Sequence, residues 1–265
     1  MTTASTPGPA AAGREPILSL RQVRKSYGAV EALRGVDLDV RQGEVLAICG
    51  DNGAGKSSLI RVVSGAQEPS GGEMRFKGEA VRFHSPQDAL ARGIATIYQD
   101  LALAPRLSIA ENVFMGSELV RRVLPGIMVL DKRAMAEQAR GYLRRLSLAV
   151  DDMRRPVERM SGGQRQAVAI ARALRWNAEI IIMDEPTAAL GVKETALVLG
   201  LVRTLREEGR TVILISHNMA DVVALADRVA VLKSGVKVVE RAVAGLDADR
   251  LAHMVMTGRD EAPAA

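Results

Sequence analysis

The sequence has a single cysteine, Cys49, among 265 residues. No disulfide can form within the chain, and the composition suits a reducing compartment. Cys49 lies in an apolar run and is expected to pack as a small hydrophobe. Aromatic residues make up only 3%, which leaves few rings for stacking single-stranded bases. No stretch reaches the roughly 18 consecutive apolar residues of a membrane helix. The longest runs, such as Thr211 to Ile215, are strand-length. Residues 1–13 lack both a basic region and an apolar core, so neither a signal peptide nor an anchor is expected there. Residues 1–16 and 259–265 read as tails, the first of them disordered. An excess of one charge is missing too: 36 Lys and Arg stand against 31 Asp and Glu, a net +5, with both signs scattered. A mixed solvated surface is expected, with no nucleic-acid partner. Local basic pairs, Arg121-Arg122, Arg144-Arg145 and Arg154-Arg155, suit acidic lipid headgroups or an acidic loop of a partner.

What is present begins at Gly50. Residues Gly50, Asp51, Asn52, Gly53, Ala54, Gly55, Lys56 and Ser57 follow the apolar run Val45 to Cys49 and open a helix expected to reach Ser64. Strand, glycine-rich loop and helix in that order form a phosphate cradle. The glycines let successive amides turn inward around phosphate oxygens. Lys56 adds a positive charge at the outer phosphates, and Ser57 offers a hydroxyl to the magnesium that accompanies a nucleotide.

Around this loop, short alternating runs from Ile17 to Val45 read as antiparallel strands, and Gly72 to Phe83 as a hairpin turning at Gly78. Residues Ile109 to Arg155 are rich in helix formers and read as a helical insertion. Strand–helix alternation then resumes through Gly162 to Leu174, Ile180 to Met183, Lys193 to Glu208, Thr211 to Ile215 and Ala220 to Leu225, with closing strands Arg228 to Leu232 and Val236 to Glu240. The expected class is α/β, a P-loop NTPase with a mainly parallel sheet, an antiparallel β subdomain at its N-terminal side and a helical subdomain. No internal repeat is present.

The buried run Ile180 to Met183 ends in Asp184 and Glu185, which a parallel sheet places at the edge where the phosphate loop lies. Asp184 is suited to hold magnesium through water, and Glu185 to polarise a water for in-line attack on the γ-phosphate. His217 follows the strand Thr211 to Ile215 and is placed to hydrogen-bond that phosphate. Gln99 ends the strand Ile94 to Tyr98, where it can sense magnesium or water. Met160, Ser161, Gly162, Gly163 and Gln164 open another helix, a second anion-binding N-terminus in one chain.

With these five residues the sequence, from about Ile17 to Gly258, resembles the nucleotide-binding subunits of ATP-binding cassette (ABC) transporters, whose signature loop they match. The resemblance implies that Tyr27, in KSYGAV, stacks on adenine, that Gly50 to Ser58 bind the ATP phosphates, and that Gln99 senses the γ-phosphate. It makes Glu185 catalytic and His217 the switch histidine. It also implies a head-to-tail dimer in which Ser161, Gly162, Gly163 and Gln164 of one copy complete the site of the other. The signature normally starts with leucine rather than Met160, and the family usually has an aspartate where Gly191 stands, so communication between the two sites is expected to differ.

The segment His84 to Glu118, through SPQDAL, GIATIYQ and LSIAENVFMG, resembles the ATPases of monosaccharide importers of the ribose, xylose and fructose type, with Asp100 where glutamate is more usual. That resemblance implies a peripheral subunit at the cytoplasmic face of the inner membrane, working under permease subunits and, indirectly, with an external sugar-binding protein. Leu101, Leu103, Pro105, Leu107 and Ile109 form an apolar stretch suited either to a short permease helix or to the subdomain core. Other readings stay open: an importer for another small solute, or a soluble ABC protein of translation or DNA repair. A P-loop kinase leaves MSGGQ and His217 unexplained.

Overall fold

The computed structural model describes residues 16–260. The chain forms β1 (Pro16–Tyr27), β2 (Val30–Arg41), β3 (Val45–Cys49), α1 (Lys56–Val63), β4 (Gly71–Phe76), β5 (Glu79–Val81), α2 (Pro86–Ala91), β6 (Ile94–Ile97), α3 (Ile109–Phe114), β7 (Val120–Leu124), β8 (Ile127–Leu130), α4 (Lys132–Arg145), α5 (Gly162–Arg175), β9 (Ile180–Asp184), α6 (Val192–Glu207), β10 (Thr211–Ile215), α7 (Met219–Leu225), β11 (Arg228–Lys233), β12 (Val236–Ala242) and α8 (Ala248–Thr257). The expected N-terminal tail lies outside the described residues except for Pro16, which opens β1 rather than ending a tail. At the other end, Arg241 and Arg250 both pair with Asp260, so the second expected tail is held at its start.

The central sheet runs β12-β11-β3-β10-β9-β6. Every pairing from β11 to β6 is parallel, and only β12 is antiparallel, at the edge. Its inner strands β3, β9 and β10 are nearly unbroken apolar runs because both faces are covered, and alternate side chains enter different cores. Val212 and Leu214 of β10 point into a core shared with α3, α4 and α5. Ile213 and Ile215 point the opposite way, toward α1 and a four-stranded antiparallel sheet of order β2-β1-β4-β5. A third cluster joins Ala47 and Cys49 of β3 to β11, α7 and α8. Cys49 is buried as expected, and burial pushes its thiol up to about 12.

One expectation for the middle of the chain needs correction. The insertion is not wholly helical, because β7 and β8 form a separate two-stranded hairpin between α3 and α4. Pro125-Gly126 between short valine-containing segments is a hairpin signal, and the helix formers on either side outweigh it. Of the apolar stretch Leu101 to Ile109, read as either a permease contact or subdomain core, Ile109 belongs to the core. It is fully buried in the subdomain core, whereas Leu107 is 42% exposed. Helix α8 was also unforeseen; Asp247 caps it by accepting from the Arg250 amide, and Gly258 ends it in a left-handed conformation.

Candidate functional site

Register builds the site. Ile48 of β3 pairs with Ile215 of β10, and Ile215 pairs with Asp184 of β9, so the three stand in one row at the C-terminal edge of the sheet. On β9's other side Ile97 pairs with Met183. One or two residues past that row the strands release the phosphate loop, Glu185, His217 and Gln99 together. Parallel strands covered on both faces leave this edge as the natural ligand crevice.

A cleft of about 880 Å³ opens there. Asn52, Gly53, Ala54, Gly55, Lys56, Ser57 and Ser58 line its floor, and Asp184, Glu185 and His217 one wall. Tyr27 lies at the rim with Val30, 66% exposed, nearby. The Tyr27 hydroxyl bonds Gln67 Oε1, and the Lys25 ammonium sits 5.3 Å from its ring centroid. Gly55 takes a φ of +105°, and a side chain there would meet the Ala32 carbonyl at 2.7 Å, so only glycine lets the loop pass into α1. Gly50 and Asp51 do not line the cleft. Their carbonyls instead accept hydrogen bonds from Lys56 Nζ at 2.6 and 3.0 Å. Burial lowers the affinity of that ammonium for its proton, and Glu185, Cys49, Asp51 and Asp184 work against the shift.

The two acids differ in environment. Burial and then the charge of Glu185 raise the Asp184 carboxyl above its ordinary range, against the opposing pull of Lys56 and His217. Glu185 stands in a left-handed conformation at φ +49°, its amide fixed to the Ile215 carbonyl at 2.9 Å. Its carboxylate Oε1 lies 2.8 Å from His217 Nε2. The structure thus joins two residues that the sequence offered separately, the expected base and the expected switch.

Gln99 lies in an adjoining cleft of about 350 Å³ that shares Asp184 and Glu185 with the first. The loop after Gln99 is clamped from α5: Arg172 donates to the carbonyls of Leu101 and Ala102, each at 2.8 Å, and both of those residues have positive φ. Asn112, wholly buried, holds the next turn by donating to the carbonyls of Ala104, Leu107 and Ser108 and accepting from the Ala104 amide.

Gly162 also lines the second cleft, whereas none of Met160 to Gln164 lines the first. Ser161 and Gln164 form a reciprocal cap on α5, the Gln164 amide donating to Ser161 Oγ and the Ser161 amide to Gln164 Oε1. A side chain at Gly162 would meet Leu190 Cδ2 at 2.5 Å. Sequence reasoning missed Glu194. Its carboxylate accepts from the Gly162 amide at 2.9 Å through one oxygen and from the Gly191 amide at 3.4 Å through the other. The only signal was an acid three residues into a helix, the usual place for a capping carboxylate.

A family model described as "ABC transporter" matches residues 33–188. A fructose import ATP-binding protein of Rhizobium meliloti is 49% identical over 84% of this chain and 86% of its own length. A xylose/arabinose import ATP-binding protein of Sulfolobus acidocaldarius is 47% identical over 83% of this chain and 85% of its own. A ribose import ATP-binding protein of Rubrobacter xylanophilus is 43% identical over 93% of this chain but 48% of its own length. Among solved structures, the dimeric post-hydrolysis state of the ATP-binding cassette MJ0796, bound to ADP and Pi, superposes with a TM-score of 0.70 at 28% identity, covering 86% of this chain and 100% of that one. Sequence kinship and geometry agree, and the chain belongs to the ABC transporter family, as one of its ATPase cassettes.

Proposed function

We propose that this ATPase powers import of a monosaccharide of the ribose, xylose or fructose class through a membrane permease. The observation that carries the catalytic part is the Glu185–His217 contact at the wall of the phosphate-loop cleft. Kinship to fructose and xylose/arabinose import ATP-binding proteins supports the sugar class.

In this reading ATP lies with its adenine against Tyr27 and its phosphates in the cradle of Asn52 to Ser58. Lys56 exchanges its bonds to the Gly50 and Asp51 carbonyls for the outer phosphates. Glu185 accepts a proton from the attacking water as its oxygen bonds the γ-phosphorus and the bond to the ADP oxygen breaks. His217, within hydrogen-bond reach of Glu185, orients that carboxylate and donates to the γ-phosphate. Ser57, Asp184 and the Gln99 amide form an all-oxygen donor set that fits Mg²⁺, a hard cation. Among the described residues no group of three or more His, Cys, Asp or Glu could hold a metal ion. Bound there with ATP, Mg²⁺ would supply charge neutralisation at the outer phosphates.

The signature residues Ser161, Gly162, Gly163 and Gln164 act on the ATP of a second copy, since they do not line their own chain's cleft. Gln99 and the loop clamped by Arg172 would carry nucleotide occupancy to the permease. The subunit would lie peripherally at the cytoplasmic face of the inner membrane; no helix among the described residues is long and apolar enough to cross one.

Glu185→Gln tests the catalytic assignment. ATP binding should be kept while hydrolysis falls by roughly a hundredfold or more, and an ATP-bound dimer should accumulate. Turnover at the parent rate would refute the role. Uptake of labelled ribose, xylose and fructose by cells lacking the subunit tests the sugar class, and a deficit in none of them would move the proposal to another solute.

A further inference from the structure

The β7–β8 hairpin has no part in the site, and among the described residues it pairs with no other strand. All nine of its strand residues are exposed. Of the thirteen large hydrophobic residues exposed in the described chain, seven lie here: Val120, Val123, Leu124, Ile127, Met128, Val129 and Leu130. A lone two-stranded hairpin is marginal in water, and apolar surface concentrated in this way marks an interaction site. Its base is firm. Leu119 packs on the subdomain core, its carbonyl accepts from the Asp131 amide at 2.7 Å, and Asp131 caps α4. The hairpin projects from that base and carries an apolar tip.

The charges are as selective as the apolar residues. From Leu119 to Leu130 the only charged residues are Arg121 and Arg122. Arg121 pairs in register with Val129, and Arg122 with Met128, while Leu124 and Ile127 close the tip. Successive strand residues leave on opposite faces, so each face carries one guanidinium behind apolar side chains. At about 3.3 Å per residue, the arginines sit roughly 7–10 Å behind Leu124. That is the depth to which an interfacial segment enters the boundary between headgroups and acyl chains, roughly 5–10 Å. A groove on a protein would cover one face of the hairpin. A bilayer surface receives both faces and meets the arginines with phosphate.

We infer that this hairpin inserts its Leu124–Ile127 tip into an anionic bilayer surface, with Arg121 and Arg122 against lipid phosphates. The contact needs neither the permease nor a particular sugar, so its failure would leave the import reading untouched. The test uses the full chain and vesicles of phosphatidylcholine, with or without phosphatidylglycerol at roughly a third of the lipid, enough to give the surface a negative potential. Co-sedimentation should require the anionic lipid and weaken as salt is raised. Arg121→Ala with Arg122→Ala should reduce it roughly tenfold or more, and Leu124→Asn with Ile127→Asn should do the same at unchanged net charge. Basal ATP hydrolysis should be unaffected in both variants, which shows that they fold. Leu124→Trp adds a depth readout: brominated lipids should quench the introduced indole and spare Trp176. Binding indifferent to lipid charge or to both double variants, or fluorescence of the introduced indole untouched by brominated lipid, would overturn the inference. Recruitment that depends on the hairpin only in vesicles carrying the permease would overturn it as well, in favour of a protein partner.

Discussion

At the residue scale, the site sets two carboxylates side by side and treats them differently. Asp184 is burdened by burial and by its neighbour's charge. Its folded-state carboxyl binds a proton more tightly than the unfolded one, so its contribution to stability is complete below the ordinary value of 3.8 and is lost as pH rises through the folded value. At neutral pH the ionised Asp184 therefore weakens the nucleotide-free protein. Asp184→Asn should raise the unfolding temperature at pH 7 by about 2–4 °C, the scale of one relieved interaction in a domain of this size. The gain should shrink as pH is lowered through the raised folded value toward the ordinary 3.8, as the wild-type carboxyl takes up its proton, and ATP hydrolysis should be lost throughout. Thermal melts of both proteins across that range decide the matter; a gain that grows on acidification would contradict the cause given. Glu185 was legible because an acid following a buried strand is a local pattern. Its contact with His217 was not, because those residues are 32 positions apart in sequence (217 − 185) and meet only through the β9–β10 register.

At the element scale, the N-terminus of α5 is tied to that of α6 through Glu194, whose two oxygens reach the amides of Gly162 and Gly191. One side chain therefore links the loop proposed to face a partner's ATP with the segment that follows its own Glu185. This link stands beside Gly191, where the family usually has an aspartate. Glu194→Ala, placed in the Glu185→Gln background, should leave ATP affinity of the monomer unchanged and weaken ATP-driven dimerisation roughly tenfold, or ~1.4 kcal/mol. Sedimentation at graded ATP reads both quantities. Equal dimerisation with and without Glu194→Ala would reduce Glu194 to an ordinary helix cap. The capping box of Ser161 and Gln164 could be read directly, since serine and glutamine three apart define it. The Arg172 clamp could not, because its acceptors are carbonyls that any residue carries, and only the packing of α5 brings them near.

At the scale of the whole molecule, the phosphate-loop cleft and the signature lie apart within one chain: none of Met160 to Gln164 lines that cleft, and Gly162 lines the adjoining one. Head-to-tail pairing of identical chains would complete two sites at once. Mixing tests this. A chain with Lys56→Ala keeps a sound signature, and one with Ser161→Glu keeps a sound phosphate loop. Each alone should be inactive, while an equal mixture should form heterodimers with one intact site and recover about a quarter of the parent activity, half of the dimers carrying half of the sites. A mixture as inactive as its components would rule out a shared site. The sequence by itself determined the glycine loop, the strand-end acids and the signature cap, because these depend on backbone conformations and spacings encoded within a few residues. It also set the short apolar runs that make the central sheet. Only the tertiary structure decided that Ile109 is core and Leu107 is exposed, that Glu185 meets His217, and that an apolar hairpin stands free of the subdomain. Burial and long-range pairing depend on what the rest of the chain places opposite a residue, and that is fixed only when the sheets and helices close on their three cores.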